Sequence, residues 1–191
     1  METDTRRDPH AGPRTRRAPK PLTRARLERI ALHYLDRYPS STLNLRRVLE
    51  RRAERNRATH DGDPAEHGAW IDAVVKKLAE QGLLDDRAYA AAVARRLRTR
   101  GSSRRLIAAR LSGKGVPEEI VRSVLDEDAA SPDAEHRAAS VFARRRGLGP
   151  HRPDPEARAE RRERDLAALA RAGFSYDIAA SVIDPPADDP D

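Results

Sequence analysis

The apolar residues recur every three or four positions through most of the chain, which is the pattern of helices that bury one face. One apolar stripe runs over 27–38, and two more follow over 45–49 and 70–78. Residues that suit helix ends stand at the breaks, with a serine pair at 40–41 before the second stripe and Gly82 after the third. The pattern therefore predicts three consecutive helices in the first part of the chain.

The remaining sequence repeats this arrangement twice. Residues 115–125 match 173–183 at an offset of 58, and 70–75 match 120–125 at an offset of 50. Self-similarity of this kind is typical of stacked repeats, each of which is too small to bury a core alone. The sequence predicts an all-α fold of nine helices in three tandem three-helix repeats, which form an elongated, curved array with disordered termini.

The repeats are flanked by segments without apolar periodicity. The predicted organisation is a disordered basic arm (1–21), three repeats (22–82, 83–130 and 131–184) and an acidic tail (185–191). Two interruptions at 56–68 and 147–155 are predicted to be exposed loops. Trp70 is predicted to belong to the core. The short third helices of repeats two and three are predicted to bury Ile120, Val124, Leu125, Ile178, Val182 and Ile183.

Composition supports a helical fold and removes several classes of protein. Leu, Ile, Val and Phe supply fewer than a fifth of the 191 residues, too few for a large sandwich or a doubly wound sheet. The absence of Cys excludes disulfides, Cys-ligated metals and thiol nucleophiles. No apolar run approaches the ~20 residues of a transmembrane helix, and the N-terminus lacks the apolar segment of a secretory signal. We therefore expect a cytoplasmic protein with no membrane partner.

The distribution of charge singles out one segment. The net charge is +7, and residues 95–114 contain eight basic residues and no acidic residue. Such a segment is either a solvated helix face or a surface that attracts a polyanion or an acidic protein. The candidate contact residues are Arg95, Arg96, Arg98, Arg100, Arg104, Arg105, Arg110 and Lys114.

Candidate catalytic and metal-ligating residues are sparse. None of the six histidines pairs with another at i, i+4 within one predicted helix, and no phosphate loop, nucleophile elbow or zincin motif is present. The acidic pairs at 85–86 and 118–119 stand at predicted helix starts, where caps and dipole partners account for them. The sequence predicts no catalytic residue, no metal and no cofactor, and hence no enzyme.

Two motifs in the second repeat resemble those of the RecX family. Residues 82–90 read GLLDDRAYA and residues 114–120 read KGVPEEI, with an Arg-rich pair of predicted helices between them. The resemblance extends over about 24–183, and the family shares the architecture of three three-helix repeats. It implies a regulator that binds the filament of RecA on single-stranded DNA and mainly inhibits its ATPase and recombinase activity in DNA repair, recombination and the SOS response.

Three functions remain open at this point. The first is that of a RecA-filament regulator, expected to be a monomer with a weak direct DNA contact, whose filament contact would use the basic residues of 95–114. The second is a helical module that binds DNA or RNA without RecA, although only seven aromatic residues are available for base stacking. The third is a scaffold for another partner or an unrecognised enzyme.

Overall fold

The computed structural model describes residues 21–128, 131 and 133–185. Within these residues the chain forms nine α-helices, one 3₁₀ turn and no β-strand, which confirms the predicted all-α fold. The helices are α1 (Arg24–Arg37), α2 (Thr42–Arg57), α3 (Pro64–Glu80), α4 (Asp86–Arg98), α5 (Arg104–Gly113), α6 (Glu118–Asp128), α7 (Ala134–Arg146), α8 (Pro155–Arg171) and α9 (Tyr176–Ile183), with the 3₁₀ turn at Gly149–His151. The predicted basic arm and acidic tail lie almost entirely outside the described residues.

The helices group in threes around three separate apolar cores. The principal buried side chains are Leu27, Leu45, Leu49 and Leu78 in the first core, Ile107, Leu111 and Val124 in the second, and Leu169, Phe174 and Val182 in the third. Buried alanines fill the helix contacts between these larger side chains, which explains how a chain so poor in large apolar residues closes three cores. The grouping follows the predicted order of the repeats, whose boundaries stay a prediction.

The predicted core residues are mostly buried. Of the six residues expected to be buried in the third helices, four are buried, whereas Ile120 and Ile178 are half-buried at the edges of their cores. Trp70 is also half-buried and packs against the first core. All three side chains pack against the cores of their repeats.

The predicted helix caps are present. The side chains of Ser41, Asp85 and Ser103 each accept a hydrogen bond from the backbone N–H three residues further along. Each cap satisfies an N–H group that has no partner inside its own helix. These caps fix the starts of α2, α4 and α5.

The predicted loop at 56–68 is wrong at both ends, because α2 and α3 leave only 58–63 between them. Asp63 caps the start of α3. Asn56 is buried in the last turn of α2, where its Oδ1 accepts the backbone N–H of Leu22 over 3.0 Å. A polar cap and a buried hydrogen bond thus extend helices into a segment whose composition favours a loop.

The predicted exposed loop at 147–155 is also partly wrong, because Leu148 and Gly149 within it are buried. Asp165 on α8 is 2% exposed and accepts the backbone N–H of Gly149 over 2.8 Å. The Arg152 guanidinium donates to both oxygens of the same carboxylate over 2.8 and 2.6 Å. These hydrogen bonds hold the pKa of Asp165 below its ordinary value and fasten the segment to α8.

Adjacent repeats are joined by the same contact at both junctions. Ser41, the cap of α2, donates its hydroxyl to the carbonyl of Lys114 at the end of α5. Ser103, the cap of α5, donates its hydroxyl to the carbonyl of Ala172 at the end of α8 over 2.6 Å. The N-terminus of α2 therefore faces the C-terminus of α5, and the N-terminus of α5 faces the C-terminus of α8. In each pair the positive end of one helix dipole meets the negative end of the other, which favours the contact.

A carboxylate from the following repeat strengthens each junction. Asp86 at the start of α4 accepts the backbone N–H of Thr42 over 2.7 Å. Glu135 in the first turn of α7 accepts the backbone N–H of Arg104 over 3.1 Å. The same two kinds of hydrogen bond thus join each repeat to the next. The second junction places α7 beside the basic helices α4 and α5.

Candidate basic interaction surface

The eight basic residues predicted to form the contact surface lie on α4, α5 and the ends of these helices. Three are in the last turns of α4, one is in the α4–α5 turn, three are on α5, and Lys114 caps its end. The side chains of Arg95, Arg96, Arg100, Arg105, Arg110 and Lys114 are exposed, whereas Arg98 and Arg104 are half-buried. The structure thus divides the predicted set into six outward residues and two residues that contact the fold itself.

Arg98 links α4 to the end of α6 and the start of α7. Its guanidinium is 13% exposed and lies 2.6 Å from the nearest carboxylate oxygen of both Asp128 and Glu135. The same group donates to the carbonyl of Ser102 over 3.1 Å. Because this guanidinium has three acceptors within the protein, Arg98 stabilises the contact between the second and third repeats.

Arg104 makes a second internal link, at the start of α5. Its guanidinium donates to the carbonyl of Leu125 over 2.6 Å and to the carboxylate of Asp126 over 2.5 Å. It therefore fastens the N-terminus of α5 to the C-terminus of α6. The sequence signal for both links is the acidic run 126–128, which directly follows the buried apolar residues of α6.

The six outward residues form no ion pair with any residue that the structure describes, in contrast to the two internal ones. Arg95, Arg96 and Arg100 belong to or follow the end of α4, where positive charge also complements the helix dipole. The remaining surface charge is therefore available to an anionic partner.

The basic surface continues onto α7. Arg145 donates to the carbonyl of Arg100 over 3.0 Å, and the Arg146 guanidinium lies 5.0 Å from the ring centroid of Phe142. Together with the α4–α5 turn these residues line a cavity of about 340 Å³ that has no Asp or Glu among its described lining residues. Arg145 and Arg146 were not among the predicted contact residues, although the run of three arginines that ends α7 is visible in the sequence.

A tight backbone contact positions this cavity. Gly101 has a φ of +79°, and a Cβ atom there would lie 2.7 Å from the backbone N of Phe142 and 2.9 Å from the carbonyl O of Ala138. Only glycine allows the α4–α5 turn to approach α7 this closely. The turn therefore carries Arg100 directly to the arginines of α7.

The described residues offer little that resembles a catalytic or metal site. No cluster of three or more His, Cys, Asp or Glu residues that could hold a metal ion occurs among them. Their one strongly buried carboxylate, that of Asp165, accepts hydrogen bonds from the Arg152 guanidinium and the Gly149 backbone N–H. Among the helices in the described ranges, none has the length and hydropathy required to span a membrane.

The chain is similar in sequence to several known proteins. A family profile described as "RecX, second three-helix domain" matches residues 85–125, which contain α4, α5 and most of α6. A protein from Myxococcus xanthus strain DK1622 named "Regulatory protein RecX" is 48% identical over 166 residues, 87% of this chain and 88% of the relative. A protein of the same name from Agrobacterium fabrum strain C58 is 33% identical over 156 residues, 80% of this chain and 79% of the relative.

Solved structures show the same fold. The crystal structure of a regulatory protein RecX superposes with a TM-score of 0.60 at 24% identity and covers 84% of this chain and 71% of that chain. The structure of RecX from Lactobacillus salivarius gives a TM-score of 0.57 at 21% identity, covering 84% of this chain and 94% of the other. The nine-helix arrangement is thus shared with solved proteins over most of the length.

Proposed function

The chain belongs to the RecX family of regulatory proteins, and on this premise we propose that it binds the RecA–single-stranded DNA filament and inhibits RecA's ATPase and recombinase activity. It would act in the cytoplasm during DNA repair, recombination and the SOS response, as a monomer without catalysis of its own. The resemblance of residues 82–90 and 114–120 to the family's motifs motivates the assignment of RecA as the partner.

The observation that carries this proposal is the set of six outward basic residues on α4 and α5. Such a filament exposes a helical groove with protein walls and a phosphate backbone nearby, so a basic helical surface complements it in charge. Arg145 and Arg146 extend the same charge onto the third repeat. We include these two residues in the proposed contact surface and leave out Arg98 and Arg104, whose charges are paired within the fold.

The tandem arrangement supports inhibition at low stoichiometry. Three cores joined end to end allow one molecule to contact more than one RecA subunit, because a row of repeats presents a longer surface than one domain of the same mass. We therefore expect ATP hydrolysis by RecA on single-stranded DNA to fall when the chain is present well below one molecule per RecA subunit.

The test compares the parental chain with a variant that carries Arg95→Glu, Arg105→Glu and Arg110→Glu. The three side chains are exposed, and Glu favours helices as Arg does, so the fold should survive. We expect a higher concentration for half-inhibition of the ATPase and a weaker dependence of inhibition on salt. The matched control reverses three exposed arginines of other helices, Arg24, Arg51 and Arg164. A folded α4–α5 variant that inhibits as the parent does at low and high salt would contradict the proposal.

A further inference from the structure

A second basic surface lies in the first repeat, between α1 and α2. Two adjoining cavities of about 460 and 240 Å³ form this α1–α2 groove, and they share Ile30, His33 and Arg52. The apolar floor comes from Ile30 and Val48. The charged walls are Arg26, Arg29 and Arg37 from α1 and Arg52 and Arg55 from α2.

The groove concentrates positive charge. Five arginines line it, and no Asp or Glu is among its described lining residues. Arg29, Arg37 and Arg52 form no ion pair with a described residue, and Arg55 donates only to the neutral carbonyl of Arg51. Guanidinium groups held together in this way repel one another, so an anionic ligand would stabilise the arrangement.

Two of the four acidic residues of the same two helices have partners outside the groove lining. Glu28 on α1 accepts a hydrogen bond from Lys77 on α3. Glu50 on α2 pairs with Arg46 over 2.9 Å. The other two, Asp36 and Glu54, form no ion pair with a described residue and are not among the described lining residues of the groove. The described lining therefore contains arginines but no carboxylate.

The arrangement of these arginines suits a linear anion. Arg26, Arg29, His33 and Arg37 follow the spacing of three and four residues that keeps side chains on one helix face, and three of these four are arginines. Eleven residues of helix span about 16 Å at a rise of roughly 1.5 Å per residue. Three guanidinium groups spread over that length can contact several phosphates of a nucleic acid strand, whereas a single small anion would contact only one end of the row.

Aromatic side chains stand at the end of the row. Tyr38, which follows α1, is 56% exposed, and its ring centroid lies 5.3 Å from that of the half-buried Tyr34. Both tyrosines line the smaller cavity. A positively charged groove that ends in an exposed aromatic ring is the combination that binds single strands, because unpaired bases stack on such rings.

We propose that the α1–α2 groove binds single-stranded nucleic acid directly, with Arg29, Arg37 and Arg52 on consecutive phosphates and a base stacked on Tyr38. The site is formed by α1, α2 and Tyr38 rather than by α4 and α5, and it requires no RecA. An acidic protein surface would complement the charge but gives no role to the exposed ring, so the nucleic acid is favoured. A duplex would offer the phosphates without accessible base faces.

The experiment measures binding of the full chain to a fluorescent 20-nucleotide oligo(dT) by anisotropy over a series of salt concentrations, without RecA. The groove variant carries Arg29→Ala and Arg52→Ala. Each phosphate contact on a single strand contributes about 0.7 to the slope of log affinity against log salt, so we expect the slope to fall by about 1.4. The control variant, Arg24→Ala with Arg51→Ala, removes the same charge from the same helices outside the groove and should keep the parental slope.

A second pair of variants tests the stacking contact. Tyr38→Ala should weaken oligo(dT) binding about fivefold or more, whereas Tyr38→Phe keeps the ring and should bind as the parent does. Equal affinity and equal salt slope for the parent, the groove variant and the control would overturn the proposal. A groove variant that keeps oligo(dT) binding but loses inhibition of RecA would also overturn it, in favour of an acidic protein partner. Because RecA is absent from the binding assay, failure here leaves the proposed filament regulation to its own test.

Discussion

The structure predicts that Arg98 and Arg100, two neighbours in the same basic segment, have opposite roles. Arg98→Ala removes a guanidinium that contacts Asp128 and Glu135 and leaves two carboxylates close together without their shared cation. Arg100→Ala removes a guanidinium that points into solvent and has no ion pair among the described residues. The first change should therefore reduce stability, and the second should reduce only binding.

The magnitude follows from the burial of the three charged groups. Removing one partner of a fully buried ion pair costs about 3–5 kcal/mol. The side chains of Arg98, Asp128 and Glu135 are 13%, 18% and 29% exposed, so water screens part of the effect. A loss of about 2 kcal/mol is expected, which lowers the melting temperature of a chain of this size by about 4–8 °C. An exposed substitution such as Arg100→Ala should stay within about 0.5 kcal/mol of the parent.

Thermal unfolding followed by circular dichroism measures the difference directly. Arg98→Lys serves as a control, because a single ammonium keeps the charge but cannot span both carboxylates in the planar geometry of arginine. It should melt between the parent and Arg98→Ala. If Arg98→Ala and Arg100→Ala melt at the same temperature, the assignment of Arg98 to the junction is wrong.

Three further predictions concern stability. Asp165→Asn should destabilise the protein at neutral pH, because Arg152 loses a buried charged partner. Since folding lowers the pKa of Asp165, the loss of stability should be largest above the ordinary pKa of about 4 and should shrink as the pH falls below it. Urea unfolding of the parent and the variant at several pH values measures this difference. Gly101→Ala should reduce the free energy of unfolding by about 2 kcal/mol or more, because the new Cβ would clash with backbone atoms of α7. Gly113→Ala, whose Cβ would meet no atom within 4 Å, should be neutral or stabilising. Equal melting temperatures for the two variants would contradict the close contact at Gly101. Val124→Asp should cost several kcal/mol by burying a carboxylate in the second core, and a variant that melts within a degree or two of the parent would be inconsistent with that core.

Helix positions and caps were predictable because they depend on local chemistry. Apolar spacing identifies the buried face of each helix, and Ser41, Asp85 and Ser103 satisfy backbone N–H groups within the first turn. Composition gave a wrong prediction of secondary structure where a contact between distant parts of the chain determines burial. Asn56 lies in a polar segment that resembles a loop, yet a hydrogen bond to Leu22 across 34 residues of chain buries it.

The predicted contact surface was limited by the same difficulty. The density of positive charge in residues 95–114 is visible in the sequence, but the carboxylates that neutralise Arg98 and Arg104 come from the end of α6 and the start of α7. Counting charges in one segment cannot detect partners that the fold supplies from another segment. The α1–α2 groove was missed for a related reason, because its arginines come from two helices that the fold brings together.

The most direct test of regulation through a RecA filament is a comparison of binding to bare and RecA-coated single-stranded DNA under identical salt conditions. The parental chain should bind the coated DNA more tightly, and the variant with Arg95→Glu, Arg105→Glu and Arg110→Glu should lose most of that advantage while it keeps its affinity for bare DNA. Equal affinity of the parental chain for bare and coated DNA, or an advantage for coated DNA that the three reversals leave unchanged, would contradict the proposed function of the α4–α5 surface.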